Sequence, residues 1–377
     1  MNFYLNGRRY SPHALLEASA EGQLPPFADA IVRFLGFWFS EYSFFKVSTS
    51  GSTSEPKEIL LSRERIRASV RLTLDFFKPD SKTEGFVLCL PAAKVGGLMV
   101  LARALEANMD VLLLEPSLSP FKAKSPEAEE KKWLISMVPP QLESVLQSKE
   151  ILEQSRNWKG VLLGGASVPQ KLLLRIPRLK CPVYQSFGMT ETVSHFALRK
   201  IWDPFQQLFT PDAPYIVLPG IEIRISPDYS LSVRGAVTED QWIETHDLVK
   251  QAEGPRQSFF FLGRKDEVVN SGGLKIHPEE IRQSWNHFFS DLEKEPFFLG
   301  IEDDLLGEKL VMVLEETAGQ HQDIKKMMSE WAQHVDPVKL PRAVFFLSHI
   351  PATSTLKVNR SLLKSHLAGQ TPVWQKK

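Results

Sequence analysis

The chain has 377 residues, which is too long for one compact core and suits two domains of unequal size. Basic and acidic residues balance at 45 each, so the charge gives no indication of a nucleic-acid or membrane-surface partner. The two cysteines, Cys89 and Cys181, stand among apolar residues and are expected to be buried free thiols. No signal-peptide pattern opens the sequence, and the apolar stretch 31–39 is too short to span a bilayer. We therefore expect a cytoplasmic protein without membrane insertion.

The first half of the chain predicts alternating strands and helices. Residues 1–45 indicate an apolar helical lead-in, and 59–61 a short strand, after which Ser62 offers an N-cap to a helix. Continuous apolar strands then alternate with helices; the predicted strands are 86–90, 111–114, 133–138, 160–163 and 182–184. This pattern is typical of a mostly parallel α/β sheet that is covered by helices on both faces.

The second half changes character. Residues 205–262 combine short strands with Pro and Gly, which predicts a small β-rich subdomain. Beyond a boundary near 264–266 the order is strand, Gly-rich turn, strand, helix, two strands, helix and strand, which is an α+β pattern. We therefore predict an N-terminal domain at 1–264 and a C-terminal domain at 265–377.

A hydroxyl-rich loop at 49–57 is the most informative segment. Such a loop can lay backbone N–H groups, hydroxyls and one ammonium against a polyphosphate, although it lacks the Gly and Lys spacing of a P-loop. The candidate phosphate ligands are Thr49, Ser50, Gly51, Ser52, Thr53 and Lys57. Taken alone, a flexible polar surface loop is an equally good interpretation.

Four later segments fit the same chemistry. The segment 185–191 follows a predicted strand, where ligands of α/β sheets lie, and its Glu191 could hold Mg²⁺. The segment 242–247 ends in a carboxylate that could accept both hydroxyls of a ribose. The segment 263–281 joins the two predicted domains, and 351–360 places a lysine in a polar loop. Each alone has an ordinary structural interpretation: a capped turn, a turn-forming aspartate, a hairpin before a helix, or a solvated lysine.

Together and in this order, the five segments resemble the adenylate-forming superfamily of acyl-CoA synthetases, peptide-synthetase adenylation domains and luciferases. The resemblance covers residues 49–360 and implies that superfamily's α/β large domain and small α+β domain. The chain departs from the family pattern at Phe187, where Tyr is usual, and at His246 and Leu356, where Gly is usual. Most relatives carry a far longer segment before the phosphate loop, so a compact member is implied.

The resemblance implies an enzyme that uses ATP, Mg²⁺ and coenzyme A and that works through an acyl-adenylate. It also implies that the domain at 1–264 binds ATP and the acid, and that the domain at 265–377 is mobile and carries Lys357. The implied adenine pocket consists of Gly164, Gly165, Ala166, Ser186, Phe187 and Gly188. Asp247 and Arg264 would hold the ribose, Thr190 would lie near the α-phosphate, and Glu191 would bind the metal. Lys357 would bridge the attacking carboxylate and the α-phosphate. Asp266 would be the hinge of the rotating small domain, which would bring Gly272 and Gly273 towards the pantetheine arm.

The runs 90–98 and 188–199 resemble one branch in particular, the o-succinylbenzoate–CoA ligases of menaquinone biosynthesis. That branch implies an acid pocket at Gly96 and Gly97, preceded by Lys94 where His is common. Because o-succinylbenzoate keeps an unreacted carboxylate, Lys94, His195 and Arg199 are candidate ligands for it, although each could equally be an ordinary surface or packed residue.

Three other functions stay open at this point. The chain could be a ligase for another aryl or short acyl acid, or a stand-alone adenylation module that loads a carrier-protein thiol. It could also be a non-catalytic nucleotide-binding relative, although its charged motif residues argue against that. A homodimer is equally open.

Overall fold

The computed structural model describes residues 1–48, 58–121, 131–289, 295–316, 324–352 and 358–376. The strands up to residue 203 are β1 (Phe3–Leu5), β2 (Arg8–Tyr10), β3 (Phe44–Ser48), β4 (Glu58–Ser62), β5 (Glu84–Leu88), β6 (Asp110–Leu113), β7 (Lys132–Met137), β8 (Trp158–Leu163), β9 (Val183–Met189) and β10 (Ser194–Asp203). The helices of the same part are α1 (Pro12–Ala20), α2 (Asp29–Trp38), α3 (Arg63–Phe77), α4 (Val95–Glu106), α5 (Pro139–Gln147), α6 (Lys149–Gln154) and α7 (Gln170–Leu173).

The remaining strands are β11 (Leu208–Phe209), β12 (Tyr215–Val217), β13 (Ile221–Ile225), β14 (Ser230–Gly235), β15 (Ile243–Gln251), β16 (Ser258–Arg264), β17 (Val269–Ser271), β18 (Leu274–Ile276), β19 (Phe297–Asp303), β20 (Gly307–Glu315), β21 (Ala343–Leu347) and β22 (Trp374–Gln375). The remaining helices are α8 (Pro278–Phe288), α9 (Ile324–Trp331) and α10 (Arg360–Leu367).

One large sheet runs through the first two thirds of the chain. Its order is β13-β14-β15-β16-β12-β10-β9-β8-β7-β5-β6-β1-β2, with β11 paired on β10. Every neighbouring pair from β9 to β1 is parallel, whereas the pairs from β9 to β13 are antiparallel. The predicted parallel sheet and the predicted β-rich subdomain are therefore two halves of one sheet.

Helices cover both faces of the parallel half, as predicted. Along β5, Phe86 and Leu88 belong to a core with α2, α3 and α4, whereas Val87 between them belongs to a core with α5. Successive side chains of a strand point to opposite faces, so an uninterrupted apolar run is what a strand buried on both sides requires.

The prediction of a helical lead-in over 1–45 is wrong for the first ten residues. These form the β1–β2 hairpin, in which Phe3 pairs with Tyr10 and β1 pairs in parallel with β6. Asn6 and Gly7 both have positive φ, at 50° and 78°, as a tight hairpin turn requires. Further along, the predicted N-cap is confirmed, because the Ser62 hydroxyl accepts a hydrogen bond from the Arg65 N–H at 3.3 Å.

A second sheet belongs to the C-terminal part of the chain. Its order is β18-β17-β20-β21-β22, with β19 paired on β20, and α8 and α9 cover one face while α10 covers the other. The first sheet ends with Arg264 and the second begins at Val269. The division at 264/265 stays a prediction. Within the described ranges, no helix combines the length and the apolar character needed to cross a membrane.

Candidate active site

The carboxyl ends of β8 and β9 form the first part of the site. Gly164, Gly165 and Ala166 directly follow β8, and the Ser186 hydroxyl on β9 donates to the Leu163 carbonyl at 2.8 Å. A Cβ on Gly164 would lie only 2.6 Å from that Ser186 oxygen, so a larger residue there would have to displace this hydroxyl from its hydrogen bond to Leu163. The structure thus brings these predicted adenine-pocket residues together at one edge of the sheet.

The next residues of β9 differ from the prediction in detail. The segment 185–191 does not follow the strand, because β9 continues to Met189, where it pairs with Ser194 of β10. The Phe187 ring is half-buried and packs among four aromatic rings, with centroid distances of 5.1–5.7 Å, so this packing fixes its orientation. Gly188 is exposed on one side, but a Cβ there would lie 2.0 Å from the Ser194 carbonyl oxygen. Strand packing therefore explains this glycine, and the role of leaving room for a base stays a prediction.

A short turn, Thr190–Thr192, carries the two residues predicted to act at the phosphates. The Glu191 side chain is exposed and makes no hydrogen bond or ion pair with any described residue. Its backbone carbonyl, in contrast, accepts a hydrogen bond from the Arg65 guanidinium. A carboxylate that is anchored through its backbone and free at its side chain fits the requirement for a Mg²⁺ ligand, since this ion keeps several waters and takes few protein oxygens. In the part of the chain that the structure describes, no cluster of three metal-ligating side chains occurs.

The predicted ribose residues lie side by side. Asp247 of β15 pairs with Arg264 at the end of β16, and the guanidinium Nη1 is 3.8 Å from the Asp247 carboxylate. The same guanidinium donates two hydrogen bonds to the carboxylate of Asp266, the predicted hinge residue, at 2.9 and 3.0 Å. Burial acts to raise the pKa of the Asp266 carboxyl, but the hydrogen bonds and charge of Arg264 outweigh it and the pKa lies below its ordinary value. Arg264 is thus shared between Asp247, the predicted ribose ligand, and Asp266, the predicted hinge residue.

The start of α4 contains the predicted acid-pocket residues. Lys94 is the half-buried residue that precedes the helix, and Gly96 is exposed. Gly97 is buried, and a Cβ there would lie 2.4 Å from the Pro91 carbonyl oxygen, so packing against the chain explains this glycine. Gly96 and Lys94 therefore have access to a ligand, whereas Gly97 shapes the backbone beneath them.

His195 and Arg199 are not brought together. They pair with Gly188 and Gln185 of β9, and these two residues, three apart, point to opposite faces of the sheet. His195 is 3 % exposed and contacts the Thr73 hydroxyl at 3.2 Å. Burial, and then the charge of Arg103, keep the pKa of His195 well below its ordinary value, so the ring is neutral.

Arg199 lies in a very different environment. Its guanidinium donates twice to the Gln185 side-chain oxygen, at 3.0 and 2.7 Å, and stacks over the Tyr215 ring at 4.8 Å. Among the described residues no carboxylate pairs with it. Because the His195 ring is neutral, it is not a cation for a substrate carboxylate, whereas the Arg199 guanidinium carries its charge without a carboxylate partner in the described chain.

Other predicted residues lie elsewhere. Gly272 and Gly273 form the exposed turn between β17 and β18, with φ of 58° and 83°. The phosphate-loop residues at 49–57 and Lys357 lie outside the described residues, so their placement stays a prediction. Prediction from sequence missed Arg65 and Arg103, which contact the Thr190–Thr192 turn and the residue Ser194 after it. A single arginine within a helix carries no sequence signal of such a role.

Known proteins resemble this chain in sequence and in fold. The family model "AMP-binding enzyme" matches residues 47–233. A solved structure from Dyadobacter fermentans, an acyl-CoA synthetase (AMP-forming)/AMP-acid ligase II-like protein, is 32% identical over 91% of this chain and 95% of its own, with a TM-score of 0.57. The 2-succinylbenzoate–CoA ligase of Bacillus cytotoxicus is 27% identical over 85% of this chain and 69% of its own. The indoleacetate–CoA ligase of Aromatoleum aromaticum is 26% identical over 86% of this chain and 67% of its own.

A further solved structure shows the same fold. It is the o-succinylbenzoate–CoA synthetase of Bacillus subtilis in complex with its acyl-adenylate intermediate, at 22% identity and a TM-score of 0.70. The chain belongs to the AMP-binding family of adenylate-forming enzymes. The predicted fold and the predicted class, an AMP-forming acid–thiol ligase, are confirmed at this level.

Proposed function

We propose that the chain is an ATP-dependent acid–CoA ligase whose acid is o-succinylbenzoate. The main observation behind this proposal is the Glu191 carboxylate. It is exposed, has no partner among the described residues, and follows Thr190 in the turn after β9. The turn that holds Glu191 directly follows β9, which pairs with β8, and the glycines of the proposed adenine pocket directly follow β8. In sheets of this kind, the carboxyl ends of parallel strands are where ligands bind.

The chemistry has two steps. An oxygen of the acid forms a bond to the α-phosphorus of ATP while the bond to the β-phosphate oxygen breaks, which gives an acyl-adenylate and pyrophosphate. The sulfur of coenzyme A then attacks the acyl carbon. The bond between this carbon and the bridging oxygen breaks, and AMP leaves with that oxygen on its phosphate. Mg²⁺, when bound, would neutralise phosphate charge, as the Bacillus subtilis synthetase solved with ATP and magnesium ion suggests.

The protein's own residues would mainly position and neutralise charge. Glu191 would hold the metal, and the Thr190 hydroxyl would donate to an α-phosphate oxygen. Asp247 would accept the ribose hydroxyls, with Arg264 beside it. Lys357 would neutralise the charge shared by the attacking carboxylate and the α-phosphate in the first step only.

The choice of acid rests on two supports. Several curated relatives at 22–28% identity are 2-succinylbenzoate–CoA ligases. In addition, o-succinylbenzoate keeps a second carboxylate after activation, and Arg199 offers a half-buried cation without a carboxylate partner in the described chain. Indoleacetate is the second candidate, because a relative of similar identity acts on that acid by name. It has no second carboxylate, so the role of Arg199 separates the two.

The test measures acid-dependent pyrophosphate release with o-succinylbenzoate, indoleacetate and benzoate, in wild type and in Arg199→Gln. The proposal expects turnover of o-succinylbenzoate, with KM raised about tenfold or more in the variant, since a charged hydrogen bond is lost. Arg224→Gln is the matched control, because Arg224 also stacks over a ring, that of Trp242, at 3.9 Å. That control should leave KM unchanged. Turnover of indoleacetate but not of o-succinylbenzoate would overturn the choice of acid.

A further inference from the structure

The backbone directly after Glu191 has an unfavourable conformation. Val193 has φ 60° and Ser194 has φ 150°, and neither is glycine. A left-handed conformation is costly for any residue with a Cβ and most unusual for a β-branched one. Val193 is also completely buried, so it cannot relax towards solvent. Such a conformation persists only where its surroundings hold it, and it is concentrated at functional sites.

Hydrogen bonds within the turn account for part of the restraint. The Thr192 hydroxyl donates to the Ser194 carbonyl at 2.7 Å and accepts from the Met189 N–H at 3.1 Å. The Val193 N–H donates to the Thr190 carbonyl at 2.9 Å. These bonds close the turn on itself, but they do not fix its position relative to the rest of the sheet.

Contacts from helices α3 and α4 fix the position of the turn relative to the sheet. From α4, Arg103 donates through Nη2 to the Ser194 hydroxyl at 3.2 Å and through Nε to the Thr73 hydroxyl at 3.0 Å. From α3, Arg65 donates to the Glu191 carbonyl and, at 2.8 Å, to the Val237 carbonyl. The turn is therefore bound at both ends by guanidinium groups from two different helices.

The environment of Arg103 is unusual for a charged residue. It is 2 % exposed, and no carboxylate pairs with it in the described chain. Burial lowers the pKa of Arg103 to about 9, which still leaves it charged at neutral pH. A buried charge without a counter-ion is costly, so general stability does not account for it. Hydrogen bonds from a charged donor are, however, stronger than those between neutral groups, and they suit a restraint on a strained turn.

We propose that Arg103 and Arg65 are positioning residues that hold the strained turn at 190–194 so that Thr190 and Glu191 face the metal and the phosphates. This inference rests on the proposed function, because it assigns the turn to binding of Mg²⁺–ATP. If Arg103 positions the turn, its removal should weaken the binding of phosphate and metal more than it lowers the stability of the fold.

The first test measures the affinity for Mn²⁺–ATP by electron paramagnetic resonance and the affinity for adenosine by calorimetry. Arg103→Met and Arg103→Lys should each weaken Mn²⁺–ATP binding about tenfold, the scale of one charge-assisted hydrogen bond, and leave adenosine binding within about twofold. Leu101→Ala is the matched control. Leu101 is buried on α4, two residues before Arg103 and hence on the opposite side of the helix. It should lower Tm without changing either affinity.

The outcomes are separable. If Mn²⁺–ATP affinity falls in proportion to Tm in all three variants, or stays unchanged in the Arg103 variants, the positioning role is overturned. If Arg103→Met does not fold, Ser194→Ala removes the same hydrogen bond at a half-buried site and should weaken Mn²⁺–ATP binding about threefold. A wild type that binds adenosine but no Mn²⁺–ATP would instead overturn the proposed function.

The strain itself has a test that needs no ligand. Val193→Ala and Val193→Gly both lose the packed side chain, but only glycine tolerates φ 60° without cost. Val193→Gly should therefore have the higher Tm of the two, the reverse of the order at an ordinary position. A higher Tm for Val193→Ala would show that the turn is not strained and would remove the basis of the proposal.

Discussion

Gly188→Ala is the substitution that most directly probes the packing beneath the site. An added Cβ would lie 2.0 Å from the Ser194 carbonyl oxygen, 2.6 Å from the His195 Cα and 2.7 Å from the Ser194 carbonyl carbon. Ordinary contacts between such atoms are about 3.5 Å, so β9 and β10 would have to separate by more than about 1 Å. All three atoms belong to the backbone, and no side chain can rotate away to make room.

We expect Gly188→Ala to cost about 3 kcal/mol, the upper end for overpacking, and to lower pyrophosphate release more than about tenfold because the turn at 190–194 shifts with β10. Gly36→Ala is the matched control. Gly36 lies within α2, has nothing within 4 Å of an added Cβ, and should gain about 0.5–1 kcal/mol from the better helix former. The assay is the midpoint of the first urea transition together with pyrophosphate release. A Gly188→Ala protein as stable and as active as wild type would refute the β9–β10 register.

Three further predictions follow from other parts of the structure. Burial acts to raise the pKa of Asp110, but hydrogen bonds from Lys131 and from residue 2 outweigh it and the pKa is lowered. Its stabilising effect is therefore fully present above about pH 4 and lost as the pH falls through the folded pKa. Asp110→Asn should cost about 1–3 kcal/mol at pH 7 in urea titrations, and this cost should shrink as the pH is lowered below about 4; a cost that does not change with pH would contradict the charge argument. Lys357→Ala should abolish adenylate formation and spare thioester formation from supplied acyl-AMP; equal loss of both steps would contradict its role. Asp266→Asn should weaken the paired hydrogen bonds between Arg264 and residue 266, leave Arg264 more available to the ribose site, and lower the KM for ATP about two- to fivefold. A raised KM would contradict the idea that Asp266 and Asp247 share Arg264.

Much of the fold could be predicted because its elements carry local periodic signals. The uninterrupted apolar strands and the N-cap at Ser62 are of this kind. The β1–β2 hairpin contradicts the predicted helix at 1–45: the apolar residues there favour a helix, whereas Asn6-Gly7 is the strongest short hairpin signal and decides the local structure. Local periodicity also gave no indication that the β-rich subdomain continues the parallel sheet, since strand pairing joins distant residues.

The site could be predicted as a set of residues but not as a geometry. His195 and Arg199 are four apart on β10, which predicts the same face of the strand. A register shift between His195 and Ala197 places them on opposite faces, and no feature of the sequence marks that bulge. The contacts of Arg103 join α4 to a turn 91 residues away, which local patterns cannot show. The domain boundary, the cytoplasmic location and a homodimer stay predictions.

The central claim is that the chain activates an acid with ATP and transfers it to coenzyme A. The most direct measurement is pyrophosphate release with ATP, Mg²⁺ and o-succinylbenzoate, with and without coenzyme A, followed by mass detection of the thioester. The account predicts acid-dependent release in both cases and o-succinylbenzoyl-CoA only when coenzyme A is present. Release that is independent of every acid in the panel, or an adenylate that is never transferred to coenzyme A, would contradict it.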